Sequence, residues 1–116
     1  MQTVSIYHNP NCSKSREALA LLEQQGVKPD IIFYLETPPS FDTLQTLVHQ
    51  LGLSSARDMM RQGEEIYQEL KLAEESSEEA LIQAMADHPR LIERPIVVAN
   101  GKARIGRPPE RVLEIL

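Results

Sequence analysis

The first third of the chain changes its hydrophobic period twice. The side chains of residues 3–8 alternate, with Val4, Ile6 and His8 on one side and the residues between them on the other, which predicts a short strand. Residues 13–25 carry apolar side chains at helical spacing before Gly26, and they predict a helix that ends at this glycine. Residues 30–35 are rich in isoleucine and aromatic side chains, which predicts a second strand. Because a helix joins the two strands, we expect them to be parallel, in a right-handed βαβ unit.

The middle of the chain shows helical periodicity only. Short helical patterns follow one another over residues 40–88, and Pro89 ends the last of them. Ser40 is a plausible N-cap of the first helix, while Ser55–Asp58 and Ser76–Glu79 resemble capping boxes of later ones. This region therefore predicts a helical insertion over roughly residues 40–88.

The end of the chain returns to a strand pattern. Residues 96–98 form a β-branched run, and Asn100-Gly101 is a strong signal for a two-residue hairpin. Residues 102–105 would form the returning strand. Pro108-Pro109 then predicts the start of a final helix. The buried face of that helix is predicted to consist of Val112, Leu113, Ile115 and Leu116.

The order of these elements predicts an α/β fold. A βαβ unit, a block of helices and a ββα unit match a thioredoxin-like mixed sheet with a helical insertion before its terminal hairpin. With 116 residues and no linker or repeat, the chain is expected to form a single domain over residues 1–116.

Composition and charge exclude several classes of protein. The chain is 41% hydrophobic and 25% charged, as in ordinary soluble proteins, and its net charge of -5 argues against broad binding to nucleic acid or anionic membranes. No apolar run approaches the roughly 18 residues of a membrane span, and residues 1–5 lack the features of a signal peptide. We therefore expect a cytoplasmic location. His8, His49 and His88 are scattered along the chain, so no metal site is expected.

The only cysteine, Cys12, is the main candidate for chemistry. It lies in the polar segment His8–Arg16, at the predicted start of the first helix. Helix N-termini present free N–H groups and a favourable dipole, so they stabilise a thiolate and can also bind an oxyanion. The alternative is a buried structural cysteine, but the polar neighbours favour a reactive one. Because the chain has one cysteine, any disulfide step must use an external thiol.

Three arginines are candidates for binding an anion near the thiol. Arg61, Arg94 and Arg107 each lie near a break in the hydrophobic pattern, although most arginines are solvated surface charges. A guanidinium binds an oxyanion through two parallel hydrogen bonds and stays charged at every relevant pH. Arg94 precedes Pro95 at the start of a predicted strand. The peptide bond between them is a candidate for the cis form, and the alternative is an ordinary trans proline.

Two further side chains have open roles. His8 ends the first predicted strand and would either support the thiolate or be an ordinary polar residue at a strand end. Ser15 would either bond to Cys12 or cap the helix.

Several motifs together cover essentially the whole chain. They are His8-Asn9-Pro10-x-Cys12-x-x-Ser15-Arg16, Tyr34-Leu35-Glu36-Thr37-Pro38-Pro39, Leu91-Ile92-Glu93-Arg94-Pro95-Ile96-Val97-Val98, Arg107-Pro108 and Val112-Leu113-Glu114-Ile115-Leu116. In these motifs and in their order, the chain resembles the glutaredoxin-linked arsenate reductase (ArsC) family.

This resemblance implies an activity and a set of roles. It implies that Cys12 attacks arsenate, with glutathione as co-substrate, glutaredoxin as partner and no bound cofactor; we also expect a monomer. It implies a cis peptide at Pro95. By matched position it makes Arg61, Arg94 and Arg107 the oxyanion-binding residues, and His8, Ser15 and Arg16 the residues that support the thiolate.

Other functions stay open at this point. The family also resembles Spx, a regulator that binds RNA polymerase, but Spx-like switching uses a Cys-x-x-Cys pair and Ser15 occupies the second position here. A third possibility is a glutathione-dependent reductase of another oxyanion or of a mixed disulfide. Asn11, Ser13 and Lys14 differ from the small residues common in this loop of arsenate reductases, and that difference bears on the substrate.

Overall fold

A computed structural model describes residues 3–116, so Met1 and Gln2 of the N-terminal run lie outside the described residues. The chain divides into two compact units. The first comprises the described residues up to Thr37 together with Arg94–Leu116, and the second is Pro38–Glu93. Within residues 3–116 no helix is long and apolar enough to cross a membrane. The single domain over residues 1–116 stays a prediction.

The first unit is built on a four-stranded mixed sheet. The strands are β1 (Val4–Tyr7), β2 (Asp30–Ile32), β3 (Ile96–Ala99) and β4 (Lys102–Ile105), in the spatial order β2-β1-β3-β4. β2 is parallel to β1, whereas β3 is antiparallel to both β1 and β4. The predicted α/β fold, thioredoxin-like with a helical block before the terminal hairpin, is confirmed.

The second strand is shorter than the sequence predicts. β2 ends at Ile32, and a turn follows because the backbone N–H groups of Glu36 and Thr37 both donate to the Phe33 carbonyl oxygen at 2.9 Å. The prediction of a strand over residues 30–35 is therefore wrong at its C-terminal half. Apolar composition marked the segment, but a local turn satisfies its backbone in place of a neighbouring strand.

One helix and one 3-10 segment cover a face of this sheet. Helix α1 (Ser13–Gln24) ends before Gly26, whose φ of 77° is the left-handed conformation that glycine adopts most readily. The helix packs against the C-terminal segment Pro109–Ile115. The core between them and the sheet consists of Val4, Ile6, Ala18, Leu22, Val97, Ala99, Val112 and Ile115.

The C-terminal segment is a 3-10 helix and not the predicted α-helix. Pro109, Val112 and Ile115 are buried, while Leu116 is 36% exposed. A 3-10 helix has three residues per turn, so side chains three apart share one face and Leu116 falls outside it. The prediction that Leu116 belongs to the buried face is therefore wrong, and Leu113 is only partly buried.

The second unit contains helices α2 (Phe41–Leu51), α3 (Glu65–Glu69) and α4 (Glu78–Asp87). Short 3-10 segments lie between them at Ala56–Met59 and Leu72–Glu74, and a third, Pro89–Leu91, follows α4. Ser40 caps α2 by accepting from the Thr43 N–H, as predicted. The N-cap of α4 is Ser77, which accepts from the Ala80 N–H.

The N-cap of α4 is therefore one residue later than the capping box predicted at Ser76–Glu79. The Glu78 carboxylate instead accepts hydrogen bonds from the Ser55 hydroxyl at 2.9 Å and from the Ala56 N–H at 2.7 Å. It thus joins the start of α4 to the start of the 3-10 segment Ala56–Met59. A long-range acceptor of this kind leaves no periodic trace in the sequence.

Candidate active site

Three segments of the first unit leave the sheet at the same end. Tyr7, the last residue of β1, pairs with Ile96, the first residue of β3, and Ile96 pairs with Ile105, the last residue of β4. The residues just after β1, just before β3 and just after β4 therefore lie at the same end of the sheet. These segments contain Cys12, Arg94 and Arg107 respectively.

The loop that carries Cys12 is held by its own backbone and by Asn9. The Cys12 N–H donates to the Asn9 carbonyl oxygen at 3.0 Å, and the Asn11 N–H donates to the Asn9 side-chain oxygen at 3.0 Å. Cys12 is the N-cap of α1, and its carbonyl oxygen accepts from the Arg16 N–H at 3.0 Å. The thiol is thereby placed at the first turn of a twelve-residue helix.

The pKa of the Cys12 thiol is lowered. Burial alone would raise this pKa, and the residue is only 9% exposed. The backbone N–H of Ser15, the positive charge of Arg94 and the backbone N–H of Lys14 together outweigh burial and favour the thiolate. The Arg94 guanidinium also lowers the pKa as a hydrogen-bond donor. The inert buried cysteine is therefore the weaker interpretation.

Arg107 is the second cation beside the thiol. Its NH2 atom lies 3.9 Å from Cys12 Sγ, and its Nε donates to the Arg94 carbonyl oxygen at 2.8 Å. The structure thus brings together Cys12, Arg94 and Arg107, which are far apart in sequence. The Arg94–Pro95 peptide bond is cis, and so is the Arg107–Pro108 bond.

His8 and Ser15 form a buried pair behind the loop. The Ser15 hydroxyl lies 2.6 Å from His8 Nδ1 and accepts a hydrogen bond from the Asn9 N–H at 3.0 Å. Burial, with a further contribution from the charge of Arg16, lowers the pKa of His8 and favours the neutral ring. Ser15 therefore acts on Cys12 through its backbone N–H, while its hydroxyl bonds to the loop and to His8.

Arg16 and Arg61 have different surroundings from the two arginines at the thiol. Arg16 is exposed and donates from NH1 to the Pro10 carbonyl oxygen at 2.8 Å, which ties the helix to the loop. Arg61 belongs to the second unit, where its NH1 lies 3.3 Å from a carboxylate oxygen of Glu64. The supporting and oxyanion-binding roles of these residues stay predictions.

Sequence reasoning missed two residues that shape the site. Asn9 organises the loop through its backbone and its side chain. Gly106 lies directly before Arg107, and a Cβ atom there would be 2.8 Å from Pro95 Cγ. The Asn9-Pro10 pair was a local turn signal that could have pointed to Asn9. Gly106 had no such signal, because its requirement comes from Pro95, which directly precedes β3 and is distant in sequence.

The arrangement can place a nucleophile beside a binding site for an anion. A buried thiolate at a helix N-terminus can attack an electrophilic centre, while two guanidinium groups neutralise negatively charged oxygens on the same molecule. Among residues 3–116, no group of three or more His, Cys, Asp or Glu side chains could hold a metal ion.

Fold and site together define a protein of thioredoxin-like fold whose single cysteine has a lowered pKa and lies beside two arginines. The family model of the ArsC family matches residues 7–115. The chain belongs to the ArsC family, and the resemblance inferred from its motifs is confirmed.

Relatives and a solved structure support this membership. The chain is 66% identical to the uncharacterized protein YfgD of Escherichia coli K12, over 97% of this chain and 96% of that protein. It is 50% identical to a protein of Neisseria meningitidis serogroup A called arsenate reductase, over the full length of both. A solved structure called arsenate reductase, from Vibrio cholerae, superimposes with a TM-score of 0.97 at 63% identity and covers 99% of this chain and 98% of that chain.

Proposed function

We propose that this protein is an oxidoreductase that reduces arsenate, with Cys12 as the nucleophile. The observation that carries the proposal is the Cys12 thiol with its lowered pKa, beside Arg94 and 3.9 Å from Arg107 NH2. The similarity to the Neisseria and Vibrio proteins called arsenate reductase supports the choice of arsenate among oxyanions.

In the first step the Cys12 thiolate forms a bond from its sulfur to As(V). One arsenate oxygen takes up protons and leaves as water. Arg94 and Arg107 hold the remaining oxygens, since planar guanidinium groups match a tetrahedral oxyanion and stay charged. By the family resemblance, Arg61 is proposed as a third arginine on the same anion.

The second part of the reaction needs an external thiol. The chain contains one cysteine, and Ser15 stands at the sequence position where a Cys-x-x-Cys pair has its second thiol. We therefore propose that glutathione attacks the arsenic–cysteine adduct and that glutaredoxin completes the cycle. The balance is arsenate plus two thiols giving arsenite, a disulfide and water, so two thiols supply the two electrons that convert As(V) to As(III).

The proposed reaction depends on a thiol co-substrate and on a reducing environment. Glutathione is a co-substrate and not a bound cofactor, and thiol exchange of this kind requires a reducing compartment such as the cytoplasm. The protein is proposed to act as a monomer.

A coupled assay tests the activity. Purified protein, glutathione, glutaredoxin, glutathione reductase and arsenate are combined, and NADPH consumption is followed. We expect arsenate-dependent consumption with the wild-type chain and none with Cys12→Ser. Equal rates for the two proteins would contradict the proposal.

The electron donor is tested by leaving out one component at a time. Omission of glutaredoxin should abolish turnover, and replacement of the glutathione system by thioredoxin with its reductase should not restore it. Activity with thioredoxin would contradict the glutaredoxin part while leaving arsenate reduction in place.

The two alternative functions predict different experimental results. A reductase of another oxyanion would turn over a different member of an oxyanion panel faster than arsenate. A regulator of the Spx kind would show no turnover and would retain RNA polymerase subunits in a pull-down.

A further inference from the structure

Glu64 contacts two arginines of the second unit. Its Oε1 atom lies 3.3 Å from Arg61 NH1 and 3.6 Å from Arg90 Nε. The Glu64 side chain is 19% exposed and that of Arg61 is 30% exposed, whereas that of Arg90 is 79% exposed. The pair with Arg61 is therefore better shielded from solvent and less screened by salt.

The backbone fixes where the Arg61 side chain begins. The Arg61 N–H donates to the Leu91 carbonyl oxygen at 2.7 Å, beside the bridge between Met60 and Ile92. The Glu64 N–H donates to the Arg61 carbonyl oxygen at 3.3 Å and closes a turn. With both backbones held, what remains free is the rotamer of the long Arg61 side chain, and ordering that side chain costs entropy.

We propose that Glu64 is a positioning residue that orders Arg61 for oxyanion binding. This inference rests on the proposed function, which assigns Arg61 to the oxyanion. The contact with Glu64 engages NH1 of the guanidinium and leaves the Nε–NH2 edge to pair with two oxygens of the anion. Because Glu64 already orders the Arg61 side chain, the entropy cost of ordering it does not reduce the affinity for the anion, and the anion binds more tightly.

A carboxylate beside an anion-binding arginine could also act as a competitor. Here the Glu64 charge is shared between Arg61 and Arg90, so the cluster of the three side chains keeps a net positive charge. An anion is therefore still attracted to the cluster. Positioning and competition predict opposite changes in KM when Glu64 is removed.

The test measures KM and kcat for arsenate in the coupled assay. We expect Glu64→Ala to raise KM roughly five-fold, because the anion must then meet the cost of ordering one long side chain, with kcat little changed. Glu64→Gln keeps an oxygen that accepts from Arg61 NH1 and should restore most of the wild-type KM. The matched control is Glu65→Ala, which removes the same side chain from the neighbouring exposed position and should leave KM unchanged.

An unchanged or lowered KM in Glu64→Ala would overturn the inference, and so would a Glu64→Gln protein whose KM is as high as that of Glu64→Ala. Thermal melts establish that each variant is folded. Should Glu64→Ala fail to fold, Glu64→Asp takes its place. It keeps the charge but shortens the reach, and a wild-type KM for this variant would also overturn the inference.

Arg61→Ala separates this inference from the proposed function. A raised KM in Arg61→Ala supports the assignment of Arg61, and adding Glu64→Ala to it should raise KM no further. A wild-type KM in Arg61→Ala would contradict the oxyanion role of Arg61 itself. A raised KM in Arg61→Ala with a wild-type KM in Glu64→Ala would overturn the positioning role alone.

Discussion

Arg107 NH2 lies 3.9 Å from Cys12 Sγ, although the two residues are 95 positions apart in the chain. The same guanidinium donates through Nε to the Arg94 carbonyl oxygen at 2.8 Å. One side chain therefore ties the segment after β4 to the segment before β3 and to the thiol after β1. The antiparallel register of β1, β3 and β4 makes this contact possible.

The thiol of Cys12 should titrate below its ordinary range. The rate of iodoacetamide alkylation against pH reports the thiolate, and the single cysteine makes the signal unambiguous. We expect a midpoint below the free value of about 8.5. Arg94→Gln removes a positive charge and a donor from the thiolate, so its midpoint should be higher than that of the wild type.

Arg111→Gln is the control for this titration, because it removes an exposed guanidinium from the C-terminal segment. Its midpoint should equal that of the wild type. A wild-type midpoint in Arg94→Gln would show that Arg94 does not stabilise the thiolate.

Arg107→Lys should lose activity while keeping its charge. The guanidinium reaches Sγ with one nitrogen and the Arg94 carbonyl with another, and a single ammonium cannot reproduce this fork. We expect kcat/KM for arsenate to fall at least about ten-fold. Arg111→Lys should keep the wild-type value, and full activity in Arg107→Lys would mean that charge alone suffices.

His8 should make the free energy of unfolding depend on pH. Its pKa is lowered in the folded protein, first by burial, so between the folded pKa and the ordinary value of about 6.5 the unfolded chain binds more protons. Stability is therefore lost as the pH falls from about 6.5 through the folded pKa. Urea denaturation at neutral and mildly acidic pH should show this loss in the wild type and a smaller loss in His8→Gln.

His49→Gln controls for the general effect of removing an imidazole, because His49 is exposed on α2. It should retain the wild-type pH dependence. The same pH dependence in His8→Gln as in the wild type would rule out His8 as the group that titrates.

Gly106→Ala should destabilise the first unit. Its new Cβ would lie 2.8 Å from Pro95 Cγ and 3.3 Å from Val112 Cγ1, so the chain must shift to make room. Overpacking of this kind costs about 1–3 kcal/mol of the free energy of unfolding. At Gly63 a Cβ would meet nothing within 4 Å, and Gly63→Ala should leave stability nearly unchanged in the same denaturation experiment.

Local patterns predicted most of the elements. Helix α1 with its end at Gly26, the Ser40 cap and the Asn100-Gly101 hairpin depend on a few neighbouring residues, and each is present. The strand predicted over residues 33–35 is instead a turn around the Phe33 carbonyl oxygen. Leu116 was predicted to be buried in an α-helix, but the segment before it is a 3-10 helix with three residues per turn. Apolar composition cannot separate these alternatives.

The site shows the same division. The sequence by itself determined that Cys12 is the only thiol and that it lies in a polar loop at the start of a helix. It also determined that three arginines lie near breaks in the hydrophobic pattern. Only the tertiary structure placed Arg94 and Arg107 beside the thiol. Arg94 and Arg107 meet Cys12 because the strand register brings three chain segments to the same end of the sheet, and pairing between distant strands leaves no local signature in the sequence.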